Sequence, residues 1–497
     1  MTDTLIVGGG TAGCVLAARL SADPEHSVRL LEAGSVGLAP EGFPAALLDA
    51  TRLPIGADAA WLWRYPVTLA DDGAAVMGNI VRGKLFGGSG AVNGSYFVRA
   101  TAADFAAWSR ALGSSTAWSF DTVLPAYRRS ERDLDFGDQP WHGRSGPIPV
   151  HRNKNPVPVS EHFATSCAAL GFPEIPDLNG PAGATAGIGR VPCSTDDGKR
   201  VSTASAYLLP ALGRPNLTVQ AATPVLRLRF HGTRAVGVDV WHDGRADTLW
   251  ADHIVLSAGA IESATLLLRS GIGDPEQLRA LDIPVVHAAP VGAWFTDHPE
   301  IGLEYRSGPA ERATVPLEYV LELDDIEIRP YTVAFTPGAQ RLGVALMRPS
   351  SAGVLRLRSA DPAVPPVIEH RYLSTEHDRA RLRAAVGIAT EVLHEMSATP
   401  RTDPMPHQPA AAAAWLHANL ATSQHLSGTC RMGPAGDERA VVDESGRVHG
   451  VAGLTVADLS VVPVPLSRGP QATAVLIAEH LADDLRRSGG SRTSQSL

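Results

Sequence analysis

The stretch "DTLIVGGGTAGCVLAARLSADPEHSVRLLEAGS", residues 3–35, constrains the fold more than any other part of the chain. An apolar run from Leu5 to Val7 reads as a buried strand. Gly8, Gly10 and Gly13 follow in the spacing G-x-G-x-x-G. Apolar residues then recur at helical spacing (Val15, Leu16, Ala18, Leu20), and a second strand, "VRLLE", ends on Glu32. Such a βαβ unit lays a pyrophosphate on the helix N-terminus, whose N–H groups and dipole favour an anion. It also puts an acidic residue about twenty positions on, where it can accept hydrogen bonds from a ribose diol. The unit predicts a dinucleotide site formed by Gly8, Gly10, Thr11, Ala12, Gly13, Glu32 and Ala33, against the alternative of a tight strand-to-helix turn. By itself it does not separate FAD from NAD.

A second glycine-rich stretch, "RGKLFGGSGAVNG" at 82–94, has five glycines in thirteen positions. Glycine is favoured where φ is positive or where a ligand must touch the main chain. An NAD enzyme needs one fingerprint, whereas the longer FAD must also have its isoalloxazine walled in by backbone. Arg82, Gly83, Gly87, Gly88, Asn93 and Gly94 fit that wall, so the pair of loops favours FAD.

At 497 residues the chain exceeds the usual limit for a single core, so two or three domains are expected. A net charge of -9 argues against nucleic acid as a partner. Cys14, Cys167, Cys193 and Cys430 are far apart with no CxxC spacing, which argues against a zinc site or a disulfide framework and suits a reducing cytosol. No metal is expected. The N-terminus shows no basic or long apolar leader pattern, and no apolar run reaches the eighteen or so residues of a membrane span. The expected location is cytoplasmic, with peripheral attachment at the inner face of the membrane compatible with it. The Ser/Gly/Arg-rich stretch 488–497 reads as a disordered tail.

The chain resembles the GMC (glucose–methanol–choline) flavoprotein oxidoreductases. Four blocks in the family's order carry the resemblance: Gly83-Lys84-x-x-Gly87-Gly88-Ser89-Gly90-x-Val92-Asn93 with Phe97; "GAIESATLLLRSGIG" at 259–273; "DHPE" at 297–300; and the closing stretch "GLTVADLSVVPVPLSRGPQATAVLIAEHLADDL". Phe86 and Ala264 are minor departures from the signatures. The resemblance implies an α/β fold: a Rossmann-like, doubly wound FAD domain assembled from 1–145, 190–300 and 422–487. A substrate domain with an antiparallel sheet and helices would come from 146–189 and 301–421. Within the latter, Val354 to Arg358 alternates like a half-buried strand, and "AAAAAWLHANLAT" is helix-prone. Val225, Ala258, Gly259, Asp458, Ala472 and Thr473 are implied as further FAD-binding positions. Covalent flavin attachment in some members uses a histidine near the first signature, and residues 82–99 contain none, so the FAD is expected to be non-covalent.

The block "SQHLSGTCRMG" at 423–433 resembles the family's His-x-x-Gly-Thr and makes His425 the catalytic base. Moving hydride from a carbinol to flavin N5 requires a base for the hydroxyl proton, and histidine, with an unperturbed pKa of about 6.5, suits the task. His298 is expected to support a loop, and His407, His417 and His480 to lie on the surface. The family's usual second His or Asn falls on Gly469, which has no side chain to bond with. Arg468 or Gln471 could substitute. Alternatively, Gln471 stays near the flavin, with backbone N–H groups of Gln471 to Thr473 polarising the ring carbonyl.

Local phrases narrow the resemblance. "LPIGADAAWLWRYPVT", the stretch following it and "SRGPQAT" are similar to the GMC oxidoreductase of the mycofactocin system. That likeness implies oxidation of mycofactocinol, a large peptide-derived carbinol, with electrons passed to a respiratory-chain component. The alternatives are an oxidase or dehydrogenase of small primary alcohols (choline, aryl or furfuryl) and, in another class, a hydroxynitrile lyase with structural FAD.

Overall fold

A computed structural model of the chain describes residues 2–36, 38, 43–57, 59–71, 73–181, 186–306 and 314–490. Strand Thr2–Val7 lies between Val28–Leu31 and Arg245–Leu256 and runs parallel to both. Leu217–Gln220 continues the sheet on one side and Leu454–Val456 on the other, again parallel. Parallel strands are covered on both faces, which is why 5–7 and 254–256 read as unbroken apolar runs. Leu5, Ile6, Leu30, Ile254, Val255 and Leu256 are all fully buried. The first helix, Thr11–Leu20, packs against the last, Gln471–Gly490. A clamp ties them: buried Glu479 receives Arg19, Arg129 and the Tyr207 hydroxyl. That last helix runs through 488–490, which the sequence reading gave to the tail; 491–497 lie outside the described residues.

The second large sheet has eight strands in the spatial order Thr399–Pro400, Pro299–Arg306, Gln340–Leu346, Ile326–Tyr331, Tyr319–Leu323, Gly187–Arg190 and Glu174–Ile175, with Leu420–Thr422 also pairing to Pro299–Arg306. All its pairings are antiparallel except the short one between 174–175 and 187–190. The strand expected over 354–358 is Val354–Arg356, with Leu355 buried between two outward neighbours. It is shorter because the prolines that follow have no N–H to give a ladder. It belongs to a smaller sheet with Val367–Glu369, Leu62–Asp71 and Ala75–Gly83. The alanine-rich stretch is the helix Pro409–Ala418. All four cysteines are buried and unpaired with one another.

Away from the cofactor layer, charge is buried on purpose-built partners. His142 lies with Nδ1 2.7 Å from Glu131 and Nε2 2.8 Å from Asp177, while Arg99 pairs with Glu131 and Arg152 bridges Asp133 and Asp177. The hydrogen bonds to Asp177 and Glu131 outweigh burial and raise the His142 pKa, while Arg99 and then His142 lower that of Glu131, and His142 and then Arg152 that of Asp177. The stabilisation from His142 is therefore full below about pH 6.5 and is lost as pH rises through its raised folded value. That from the two carboxylates is lost as pH falls through their lowered values. His142→Leu is expected to destabilise the fold by about 3–5 kcal/mol, because it strands buried carboxylates. Denaturant unfolding of flavin-matched samples at pH 6 checks this, and a change near zero would contradict it.

Candidate active site

The two glycine stretches touch. Gly87 N–H donates to Gly9 O at 2.8 Å and Thr11 Oγ1 to Gly87 O at 3.3 Å. A Cβ on Gly88 would lie 2.8 Å from Gly10 Cα, and one on Gly83 would lie 2.3 Å from the Gly88 carbonyl. So one reason for the second loop is close packing of main chain on main chain, in addition to room for a ligand. A third element joins them: a Cβ on Gly90 would meet Gln471 Nε2 at 2.7 Å and Thr11 Oγ1 at 2.9 Å.

These elements enclose a cleft of about 720 Å³. Gly8, Gly10, Thr11, Ala12, Glu32 and Ala33 line it, as do Arg82, Gly83, Gly88, Asn93 and Gly94. Val225, Ala258, Gly259, Asp458 and Gln471 complete the predicted lining. Four predicted residues stand behind this wall. Gly13 abuts the Gly8 carbonyl, Gly87 abuts Ser202, Ala472 is buried, and the Thr473 hydroxyl bonds Tyr127.

The donor set fits a dinucleotide. The helix Thr11–Leu20 has no side-chain N-cap, leaving its N-terminus to an outside acceptor. A Cβ on Gly10 would find no atom nearer than 3.8 Å, so the turn is kept open toward the cleft. Glu32 accepts from Gly9 N at 2.9 Å and Gly34 N at 2.8 Å, and burial raises its pKa. It fixes the loop, and its remaining lone pairs can take a diol. Asp458 likewise holds Gly259 N at 2.8 Å and Ser263 Oγ at 2.6 Å.

His425 lines the cleft at the edge of the antiparallel sheet. Strand Leu420–Thr422 ends just before it, and Pro299–Arg306 begins just after His298 on the partner strand. Between strand and base, Gln424 takes a left-handed φ of 67° and is tied down by accepting from Val81 N–H at 2.8 Å. This left-handed residue just past the strand end leads into His425, which lines the cleft. Asp297 Oδ1 accepts both the His298 and the His425 backbone N–H, each at 2.7 Å. Its Oδ2 takes the Thr422 hydroxyl at 2.9 Å and faces His370 at 3.2 Å. These bonds and the nearby histidines outweigh burial and keep Asp297 ionised far below the usual range. Burial, with His298 and Arg329 nearby, pushes the His425 pKa well down, so the ring is neutral at working pH.

Two sequence expectations change here. Arg468 does not face His425: its guanidinium donates to Leu178 O at 2.6 Å and Glu322 at 2.5 Å, away from the cleft. Gly469 is glycine because the Tyr96 ring fills the place of a side chain, with Cδ1 2.7 Å from where a Cβ would stand. That Cβ position is 3.9 Å from His425 Cε1, so Tyr96, which the sequence reading passed over, forms the wall beside the base. His480 is half-buried rather than fully on the surface. It packs on Trp118 with ring centroids 4.5 Å apart, and burial lowers its pKa. Behind His425, Arg329 pairs with Glu300 at 3.0 Å and Glu327 at 2.6 Å, Ser423 donates to Glu300, and Tyr96 donates to Glu327. No local spacing announces this cluster, because its members come from separate strands; "DHPE" was its one visible piece.

Comparison with known proteins matches the family and the fold. The chain fits the N-terminal family model described as GMC oxidoreductase over residues 2–300 and the C-terminal one over 349–478. It is 44% identical to a GMC-type oxidoreductase of Rhodococcus erythropolis, itself uncharacterised, over 96% of this chain and 97% of that one. It is 33% identical to mitochondrial choline dehydrogenase of Mus musculus, over 97% and 89%. Its fold superposes on a crystal structure of pyridoxine 4-oxidase from Mesorbium loti with a TM-score of 0.90 at 28% identity, covering 98% and 99% of the two chains.

Proposed function

The chain belongs to the GMC oxidoreductase family, FAD-dependent enzymes that act on CH–OH groups, and on that premise we propose that it oxidises a neutral carbinol with His425 as the base. The observation that supports this most is a histidine, His425, that lines the same cleft as both glycine loops and whose burial holds its pKa down. FAD, when bound, supplies the hydride acceptor. The chain's own residues do the rest. The turn at Gly8 to Gly13 and Glu32 would hold the cofactor's phosphates and ribose, and the 82–94 backbone would wall its ring. His425 takes the hydroxyl proton as the carbinol C–H is given up, a contribution of about 10²- to 10⁴-fold. Gln471 at the closing helix lies against the second loop and remains the candidate for holding the ring end of the cofactor. The FAD is held without a covalent bond, so acid precipitation should release it into the supernatant; yellow pellets would contradict this.

The wall near His425 favours a neutral substrate. In that wall Glu300 and Glu327 share the Arg329 guanidinium, and farther back, away from the cleft, Glu322 pairs with Arg468 and burial pushes it up to about 7. The cluster thus carries little net charge, and its carboxylates are already committed to guanidiniums, whereas a cation held by charge calls for uncompensated negative charge. For the carbinol itself we take mycofactocinol, with a respiratory-chain component as acceptor. The phrase that carries that likeness contributes Leu53, Ile55, Trp63 and Tyr65 to the cleft lining, so it touches the ligand surface. Anaerobic titration of the holoenzyme with mycofactocinol, choline, pyridoxine and aryl alcohols tests the reading by flavin bleaching. Bleaching by mycofactocinol alone is expected. Bleaching by a simple alcohol instead would make this a small-alcohol enzyme, and bleaching by none would bring forward the lyase with structural FAD.

A further inference from the structure

We infer that His298 is a positioning residue that holds His425 as its Nδ1–H tautomer, leaving Nε2 as the bare nitrogen that receives the substrate proton; the inference rests on the reading of His425 as base. Two contacts carry it. His298 Nε2 lies 3.0 Å from the carbonyl oxygen of Leu466, and His298 Nδ1 lies 2.9 Å from His425 Nδ1. A carbonyl can only accept, so His298 Nε2 must carry a hydrogen. His298 is then either neutral, with its lone pair on Nδ1, or a cation with both nitrogens protonated. It is 3% exposed and faces the guanidinium of Arg329. Burial pushes its pKa down to about 4, against the pull of Asp297 and Glu327. The neutral ring therefore offers a lone pair at Nδ1. An N···N contact of 2.9 Å needs one hydrogen, and only His425 is left to supply it. A neutral His425 with its hydrogen on Nδ1 has its lone pair on Nε2.

The surroundings make this pairing rigid. The Leu466 carbonyl cannot swing, because Ser467 is held by Asp104 through its N–H at 3.1 Å and its hydroxyl at 2.6 Å, and Arg468 by Glu322. The two histidine backbones hang on the single oxygen Asp297 Oδ1, which fixes the distance between the rings. The rings meet edge to face at 81°. When the substrate O–H bond breaks, its proton settles on Nε2. The resulting imidazolium keeps its Nδ1–H donated to His298, and no proton crosses between the rings. His298 thus does for His425 what the orienting third member of a nucleophile–base–orienter triad does, with a neutral ring in place of a carboxylate.

The test has a readout independent of any substrate. In holoenzyme labelled with 15N-histidine, the signals lost in His425→Ala identify His425. They are expected to show Nδ1 protonated and Nε2 bare at neutral pH; a proton on Nε2 overturns the inference. His298→Leu, which cannot accept, is expected to bring in the Nε2–H form. With an alcohol that reduces the wild-type flavin, it should lower the reduction rate by at least about tenfold at unchanged substrate Kd. His298→Asn, whose amide oxygen can accept from Nδ1–H and whose NH2 can donate, should recover most of that loss. A wild-type rate in His298→Leu at full flavin content overturns the inference, and so do equal losses in the Leu and Asn variants, the pattern of mere loop support. If no alcohol reduces the wild-type flavin, the base reading fails while the nitrogen spectrum still decides the tautomer.

Discussion

His425→Ala is expected to slow anaerobic flavin reduction by about 10²- to 10⁴-fold, or roughly 3–5 kcal/mol of barrier, with FAD content and fold unchanged. The side chain faces the cleft, and its backbone is held by Asp297 whatever the side chain is. Removing the ring should therefore delete the proton acceptor and leave the cofactor site standing. The pH dependence has a definite sign. A base works when unprotonated, and burial with the neighbouring His298 and Arg329 holds the His425 pKa well below its ordinary value. Wild-type flavin reduction should accordingly stay level as pH falls from 8 to about 6.5, the ordinary histidine pKa, and decline only on the acid side of it. Stopped-flow reduction across that range measures both. A rate unchanged in His425→Ala at full flavin content would remove this residue from the chemistry, and a midpoint above the ordinary histidine value would contradict the burial argument.

The second large effect is structural. Gly13→Ala places a methyl group 1.9 Å from the carbonyl oxygen of Gly8, where neither atom can retreat, because one belongs to the first helix and the other to the turn it packs on. Relieving that overlap means pulling the helix off the strand, which opens the turn proposed above to receive the cofactor's phosphates. The expected result is protein without FAD and destabilised by at least about 3 kcal/mol, beyond ordinary overpacking. Gly83→Ala, 2.3 Å from the Gly88 carbonyl, should likewise lose FAD by forcing the two glycine loops apart. Gly56→Ala is the control, since its new methyl group meets nothing within 4 Å. Flavin absorbance per protein and thermal unfolding decide the matter. Wild-type values for Gly13→Ala would mean that the close approach does not shape the site.

The contrast between Gly13 and Gly469 shows how far sequence reading reaches. Gly13 belongs to a turn whose meaning lies within thirty residues, so its spacing announced the fold around it and the class of ligand, a dinucleotide, though not which one. Gly469 is equally constrained, yet its constraint is the Tyr96 ring, which arrives from a distant part of the chain. Its spacing revealed only that a side chain was missing. Arg468, next to it, was a reasonable substitute by position, but position does not say where a side chain points. Its partners Glu322 and the Leu178 carbonyl turn it to the other side.

By itself, the sequence determined the βαβ dinucleotide unit, the second glycine loop, the candidate base His425 and the family, because each is written in a contiguous run whose backbone geometry follows from local spacing. The tertiary structure alone decided that the two glycine loops pack on each other, that Tyr96 rather than a polar side chain stands beside the base, and that His298 meets His425. All three join segments far apart in the chain, and the last depends on strand register in an antiparallel sheet. There a shift of one residue turns a side chain to the opposite face, and register is set by pairings such as Pro299 with Thr422 that no local stretch contains.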